Sequence, residues 1–230
     1  MNQKIVQNLK KVKSQINKKK EPDQDVRLVA VTKTRTPEQI SAAIEAGIIS
    51  IGENRVQEAA LKFPNIPQIN KVEKRLIGQL QSNKIKKAIK LFDTIDSVDS
   101  TKLAAKISKA AATIKKTQRV LVQINTSEEK TKGGFKSSDI EGIMSCFEHN
   151  NIKIEGLMTI GPTKPEHTQR QRAFKSLKEL FTKINTRLPL EKQMTEISMG
   201  MSGDFELGVK SGSTMVRIGT AIFGKREAVV

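Results

Sequence analysis

A chain of 230 residues, 37% hydrophobic and 28% charged, carries enough apolar material for one large core and fits a single barrel-sized domain as well as two small ones. No apolar run approaches the length of a membrane span, and the single cysteine, Cys146, excludes an internal disulfide and suits a reducing compartment. The net charge of +17 comes mostly from 31 lysines spread along the chain, and with neither Tyr nor Trp to stack on bases it reads as general lysine enrichment with modest polyanion affinity, not as a specific nucleic-acid site.

Residues 1–20 place Ile5, Val6, Leu9, Val12 and Ile16 on one stripe of a basic helix. With no Arg, one Ser and no apolar stretch, the segment fits neither a transit peptide nor a secretory signal. A helix packed on the domain is expected, in a cytoplasmic protein. Residues 28–31 are apolar and rich in β-branching, which predicts a strand buried on both faces. Thr36-Pro37-Glu38-Gln39 reads as a helix start, with Thr36 as N-cap, Pro37 at the first position and Gln39 closing a capping box. Lys33 therefore stands at the carboxyl end of a core strand, just before the chain turns.

The helix over 38–46 ends at Gly47, and 48–51 is expected as the second strand, delivering Gly52-Glu53-Asn54. A helix follows over 56–61, then a third strand over 76–78, after which Ser82 is expected to cap the helix carrying Ile85, Ala88 and Ile89. A fourth strand over 94–96 precedes Ser100 and a helix with Leu103, Ile107, Ala110, Ala111 and Ile114 on one face. The fifth strand, 120–125, runs into a polar loop containing Lys132-Gly133-Gly134. Ile140, Ile143, Met144 and Phe147 mark the next helix, in which Cys146 reads as a buried residue and not a nucleophile. The sixth strand is 156–160, and Phe174, Leu177, Leu180, Phe181 and Ile184 mark a long amphipathic helix. Strands at 196–199 and 215–218 complete the chain. Eight strands alternating with helices, with no break in composition, predict one (β/α)8 barrel over 1–230.

In such barrels the active-site residues lie at the carboxyl ends of the strands. A partly desolvated lysine there can lose its proton near neutral pH and attack a carbonyl to form a Schiff base. Among 31 lysines residue type says little; position singles out Lys33. Two glycine- and hydroxyl-rich turns, 198–204 and 217–221, follow the last two strands, where barrels bind phosphate through backbone N–H groups. A phosphate-bearing aldehyde on a lysine means pyridoxal 5′-phosphate. Arg217 would face its pyridine nitrogen, keep it unprotonated and weaken the ring as an electron sink. The alternative for Arg217 is an ordinary ion pair at the barrel mouth.

Six stretches carry a family resemblance: Ala30-Val-Thr-Lys33-Thr34, Gly52-Glu-Asn-Arg-Val-Gln-Glu58, Ile77-Gly-Gln-Leu-Gln-Ser-Asn-Lys84, Gly156-Leu-Met-Thr159, Ser198-Met-Gly-Met-Ser202 and Val216-Arg-Ile-Gly-Thr-Ala-Ile-Phe-Gly224. The chain resembles the pyridoxal phosphate homeostasis protein family, single-barrel proteins of the fold-type III class related to the N-terminal domain of alanine racemase. The resemblance implies that Lys33 carries the cofactor, that Ser198, Ser202, Gly219 and Thr220 hold its phosphate, that Arg217 faces the ring nitrogen and that Asn54 lies near the ring. It also places Lys132 among the family lysines, with a role in cofactor exchange. Arg75 departs from the pattern, since many relatives carry histidine there. The change leaves the cofactor set intact and argues against a proton relay at that position.

The implied function is reversible binding of pyridoxal phosphate in the service of its homeostasis, without catalysis. The expected partners are the cofactor and the apo-enzymes that receive it, and the expected state is a monomer with no metal site. An amino-acid racemase on the same scaffold is the alternative. Racemisation by this fold uses Lys and, by resemblance, Tyr on opposite faces of the substrate; this chain has no Tyr, and no racemase-type C-terminal domain is expected. His149 and His167 are expected away from the barrel mouth.

Overall fold

The computed structural model describes residues 2–129, 131–163 and 166–225. Eight parallel strands close into a barrel: β1 (Arg27–Val31), β2 (Ser50–Glu53), β3 (Glu73–Leu76), β4 (Thr94–Val98), β5 (Gln118–Asn125), β7 (Ile152–Thr159), β8 (Glu196–Met201) and β9 (Met215–Ile218). They are hydrogen-bonded in the order β4-β3-β2-β1-β9-β8-β7-β5, and β4 pairs back onto β5 to complete the ring. A two-residue strand, β6 (Phe135–Lys136), adds to the end of β5. The helices are α1 (Asn2–Lys19), α2 (Pro37–Glu45), α3 (Val56–Lys62), α4 (Ile85–Leu91), α5 (Thr101–Ala112), α6 (Ile140–Ser145), α7 (His167–Asn185), α8 (Phe205–Lys210) and α9 (Thr220–Phe223). None in the described residues is long and apolar enough to cross a membrane. The stripe Ile5, Leu9, Val12 and Ile16 of α1 is buried in the main core, where the helix packs on α2, α8 and α9.

Strand alternation sorts the side chains. Leu28 and Ala30 of β1 join the large cluster between strands and helices, whereas Val29 meets Leu121, Met158 and Met215 inside the ring. Residues 27, 29 and 31 thus share the inward parity, and Lys33 follows two residues beyond the strand's carboxyl end.

The opposite end of the barrel is plugged with charge. Fully buried Arg75 donates from Nε to Asp96 at 2.9 Å, from Nη1 to Glu73 at 2.8 Å and from Nη2 to Glu196 at 2.8 Å. Arg27 reaches Glu196 at 2.7 Å and Arg119 reaches Glu73 at 2.6 Å. Burial alone would raise the Glu73 carboxyl, but Arg75, Arg119 and Arg27 hold it down at about 2. The same carboxylates keep Arg75 protonated despite its burial. Arg75 is therefore a structural cation at the end of the barrel away from Lys33.

Several boundaries differ from expectation for identifiable reasons. The second strand begins at Ser50, not at 48, because the turn after α2 uses Gly47 in the left-handed region (φ 87°) and spends the Ile48 N–H on the Ala43 carbonyl. The third strand begins at Glu73, and the run Glu73-Lys74-Arg75 looks like a loop until its inward members are seen inside the plug. Ser82 does not cap α4: a 3₁₀ turn intervenes, and Ser82 Oγ accepts from Lys106 at 2.9 Å. The Thr36–Gln39 capping box is present in full, and Ser100 caps α5. Cys146 is buried at the end of α6, where burial raises its thiol to about 11.

Candidate functional site

Lys33 lies, partly buried, in the turn between β1 and α2. The turn is held on several sides. The Thr32 hydroxyl donates to Glu53 Oε1 at 2.7 Å, and Lys62 of α3 donates to the Thr32 carbonyl at 2.8 Å and to Glu53 Oε1 at 2.6 Å. The Thr34 N–H donates to Glu58 Oε1 at 2.6 Å. Arg35 stacks over the Phe223 ring and donates to the Gly224 carbonyl, tying the turn to the end of α9. Glu53 is fully buried, and its Oε2 has no hydrogen-bond partner among the described residues. Burial raises its carboxyl, with the charge of Lys62 pulling the other way.

Strand β9 lies beside β1, with Ala30 level with Ile218, so the turn after β9 is the immediate neighbour of the Lys33 turn. There the N–H groups of Gly219 and Ala221 converge on one oxygen, Ser202 Oγ, at 3.1 and 3.3 Å. Thr220, between them, is exposed. Helix α9 is a single turn, so what this corner offers an anion is individual N–H groups and hydroxyls. Gly200 supports the adjoining loop in the left-handed region (φ 98°), and a β-carbon there would press on the Phe205 backbone.

Arg217 is almost fully buried, donating from Nη1 to Ser198 Oγ at 2.6 Å and from Nη2 to the Thr159 carbonyl at 2.8 Å. Among the described residues it has no direct ion-pair partner. Burial lowers its guanidinium to about 10, with Asp96 and Asp204 opposing the shift, so it stays charged at neutral pH. Ser198 is thus brought to Arg217 and not to the turn: its register partner is Met215, while Ser202 is the serine that touches Gly219. Asn54 follows β2, and its buried Oδ1 has no hydrogen-bond partner among the described residues. Gly78 backs it closely enough that a β-carbon would collide with the Asn54 carbonyl.

The remaining sequence candidates fall elsewhere. Lys132 bridges two loops, donating to the Gly161 carbonyl at 2.6 Å and to Glu129 at 3.1 Å. His149 lies beside Ile152 at the start of β7, at the far end of the barrel. His167 stands at the start of α7, at the carboxyl end of the barrel. It lines a cavity of about 750 Å³ with Ser202 and Ala221, but the other walls come from α1 and α8, outside the ring of strands. Glu53, Glu58, Lys62 and Thr159 were not singled out by sequence. A carboxylate inside a strand (Glu53) and a Glu–Lys pair four residues apart on one helix (Glu58, Lys62) are the signals that were there to be read.

The donor set fits a phosphorylated aldehyde. An amine-bearing residue, a convergent pair of N–H groups, a buried cation with no direct ion pair among the described residues and a buried amide oxygen that none of them bonds all lie at one end of the barrel.

Comparison with known proteins defines the class first: residues 2–227 match the family model of the alanine racemase N-terminal domain. A Clostridium difficile alanine racemase, 17% identical, superposes with a TM-score of 0.78 over 96% of this chain and 56% of its own, which shows the shared fold alone. Within that class the chain belongs to the pyridoxal phosphate homeostasis protein family. The Synechocystis protein of that name is 40% identical over 202 residues, 87% of this chain and 92% of its own. The structure of Synechococcus elongatus PipY with pyridoxal phosphate bound matches at 32% identity and a TM-score of 0.85, covering 96% of this chain and 100% of that one. The crystal structure of an unknown protein from Bifidobacterium adolescentis matches at 37% identity and a TM-score of 0.91, covering 96% of this chain and 95% of that one.

Proposed function

We propose that this chain holds pyridoxal 5′-phosphate reversibly through Lys33, keeps its free level in range and yields it to apo-enzymes, without turning over an amino acid itself. The observation that carries the reading is the adjacency of two turns on neighbouring strands, one bearing Lys33 and the other presenting the Gly219 and Ala221 N–H groups to a single oxygen. The binding of pyridoxal phosphate by PipY and the name shared by the relatives support it. A chain with one buried cysteine suits the cytoplasm.

When bound, pyridoxal phosphate supplies an aldehyde that condenses reversibly with an amine and a phosphate dianion that anchors it. In this reading the Lys33 amine meets the aldehyde, and Ser202, Gly219 and Thr220 hold the phosphate. Asn54 offers its Oδ1 near the ring. Arg217 would set a positive charge at the ring nitrogen and keep a proton off it. Ser198 serves the site by orienting Arg217. The Thr159 carbonyl fixes the other arm of that guanidinium. The racemase reading lacks its second base: no Tyr exists in the chain, and His167 sits among helices outside the ring. General acid–base groups typically contribute ~10²–10⁴-fold in rate, so the missing one matters.

Borohydride treatment of protein loaded with the cofactor, followed by peptide mapping, tests the reading. A stable adduct on Lys33 is expected, absent from Lys33→Ala. An adduct on another lysine would overturn the assignment. D-alanine accumulating from L-alanine at enzymatic rates, and lost with Lys33→Ala, would replace homeostasis with racemisation.

A further inference from the structure

The turn bearing Lys33 is closed by the Arg35 N–H, which donates to the Thr32 carbonyl at 3.0 Å, and it puts a β-branched residue where glycine is usual. Thr34, the next residue, has φ 63°, a left-handed conformation that is a clear outlier for a β-branched side chain. Something must hold it. Both peptide groups flanking Lys33 are gripped from α3: the preceding carbonyl, of Thr32, accepts from Lys62 Nζ at 2.8 Å, and the following N–H, of Thr34, donates to Glu58 Oε1 at 2.6 Å. Glu58 and Lys62 are also bonded to each other at 2.9 Å.

An i,i+4 Glu–Lys pair is ordinarily a solvated ornament of a helix surface. This one is turned inward. Only 12% of the Lys62 side chain is exposed, and the three donors of its ammonium have three acceptors, Thr32 O, Glu53 Oε1 and Glu58 Oε1. Glu53, buried at the end of β2, anchors the far side, and the Thr32 hydroxyl bonds the same Glu53 oxygen. Burial works to raise the Glu58 carboxyl, but the bonds from Lys62 and the Thr34 N–H, with the charges of Lys62 and Arg55, hold it below its ordinary range. It therefore remains a charged acceptor, the stronger kind.

We propose that Glu58 and Lys62 are positioning residues for Lys33, a clasp that grips the peptide on each side of it and holds Thr34 left-handed. A lysine that repeatedly takes and releases an aldehyde has a long flexible stem, and each capture requires the amine to return to one place. Fixing the two flanking peptides settles the α-carbon in advance, so less order has to be created at capture. The proposal rests on Lys33 being the cofactor lysine.

The test uses the strain itself. Glu58→Ala should weaken binding of pyridoxal phosphate, followed by titration of its visible absorbance, by ~10-fold or more. It should also speed amide exchange at Thr34 in the cofactor-free protein by at least about tenfold. Adding Thr34→Gly, which accepts a left-handed φ without strain but leaves the peptides unfixed, should recover at least about threefold of the lost affinity without restoring it in full. Should Glu58→Ala fail to fold, Glu58→Gln decides the point. It keeps an acceptor and loses the charge, so a loss of about threefold, again partly recovered with Thr34→Gly, is expected. Affinity within twofold of the natural protein in the folded variant, or a loss that Thr34→Gly leaves wholly unrecovered, overturns the clasp. A borohydride adduct on a different lysine brings down the Lys33 reading and the proposal with it. An adduct on Lys33 with unchanged affinity removes the clasp alone.

Discussion

The two ends of this barrel handle buried charge in opposite ways. At the amino-terminal end Arg75 is surrounded by Asp96, Glu73 and Glu196, and Arg27 and Arg119 complete the set. At the carboxyl end Arg217 is buried too, but among the described residues its hydrogen bonds go to a serine hydroxyl and a peptide carbonyl. Asn54 and Glu53 there each keep a buried oxygen that no described residue bonds, and Thr34 is strained. A self-satisfied network spends its charges on one another and fixes the fold. An end with spare charge, spare acceptors and strain is arranged for something that arrives. That division follows the general rule for barrels, stability at the bottom and chemistry at the top.

The largest effect should come from setting Arg75→Met against Arg217→Met. Removing Arg75 strands Asp96, Glu73 and Glu196, and a loss of about 3–5 kcal/mol is expected in urea unfolding. Removing Arg217 leaves two neutral groups short of a donor, which costs about 1–3 kcal/mol, while cofactor binding suffers far more than in the folded Arg75 variant. Equal losses of stability from the two changes would erase the contrast between the ends.

Acid should attack the plug first. Glu73 is held at about 2, against an ordinary value of 4.5. A depressed carboxyl adds stability that is complete above its unfolded value and disappears as pH falls through its folded one, so the loss should run from about pH 4.5 down to about 2. It amounts to ~3 kcal/mol for this group. Unfolding measured at steps across that window should show the decline, and Glu73→Gln should be less stable at neutral pH and decline less steeply. A parallel slope in the variant would mean that other carboxylates govern the acid limb. The smallest effect belongs to the outer surface. Lys175, 75% exposed beside Glu179, should change stability by under about 0.5 kcal/mol when replaced by alanine and leave cofactor affinity alone, which an unfolding curve and a titration would check.

Much of this was legible in the amino-acid order. The eight strands and the capping box at Thr36 follow from local rules: apolar alternation, a hydroxyl before a proline, glycine after a helix. Lys33 could be placed at the end of β1 because strand and helix signals meet on either side of it. The boundaries of β2 and β3 were not legible, since Gly47 spends two residues on a turn and Glu73-Lys74-Arg75 looks polar until its partners on β4, β5 and β8 are known.

What the sequence determined by itself was therefore the order of the elements, the closed fold that such an order requires, and the residue types waiting at the strand ends. The tertiary structure decided which of them meet. That Ser202 and not Ser198 receives the Gly219 N–H depends on the stagger between β8 and β9. That α3 grips the Lys33 turn depends on how one helix lies across two strands. Local propensity acts over a few residues, whereas these contacts join positions separated by 17 residues for Gly219 and Ser202 and by 24 for Thr34 and Glu58. Only packing against the closed barrel sets such distances.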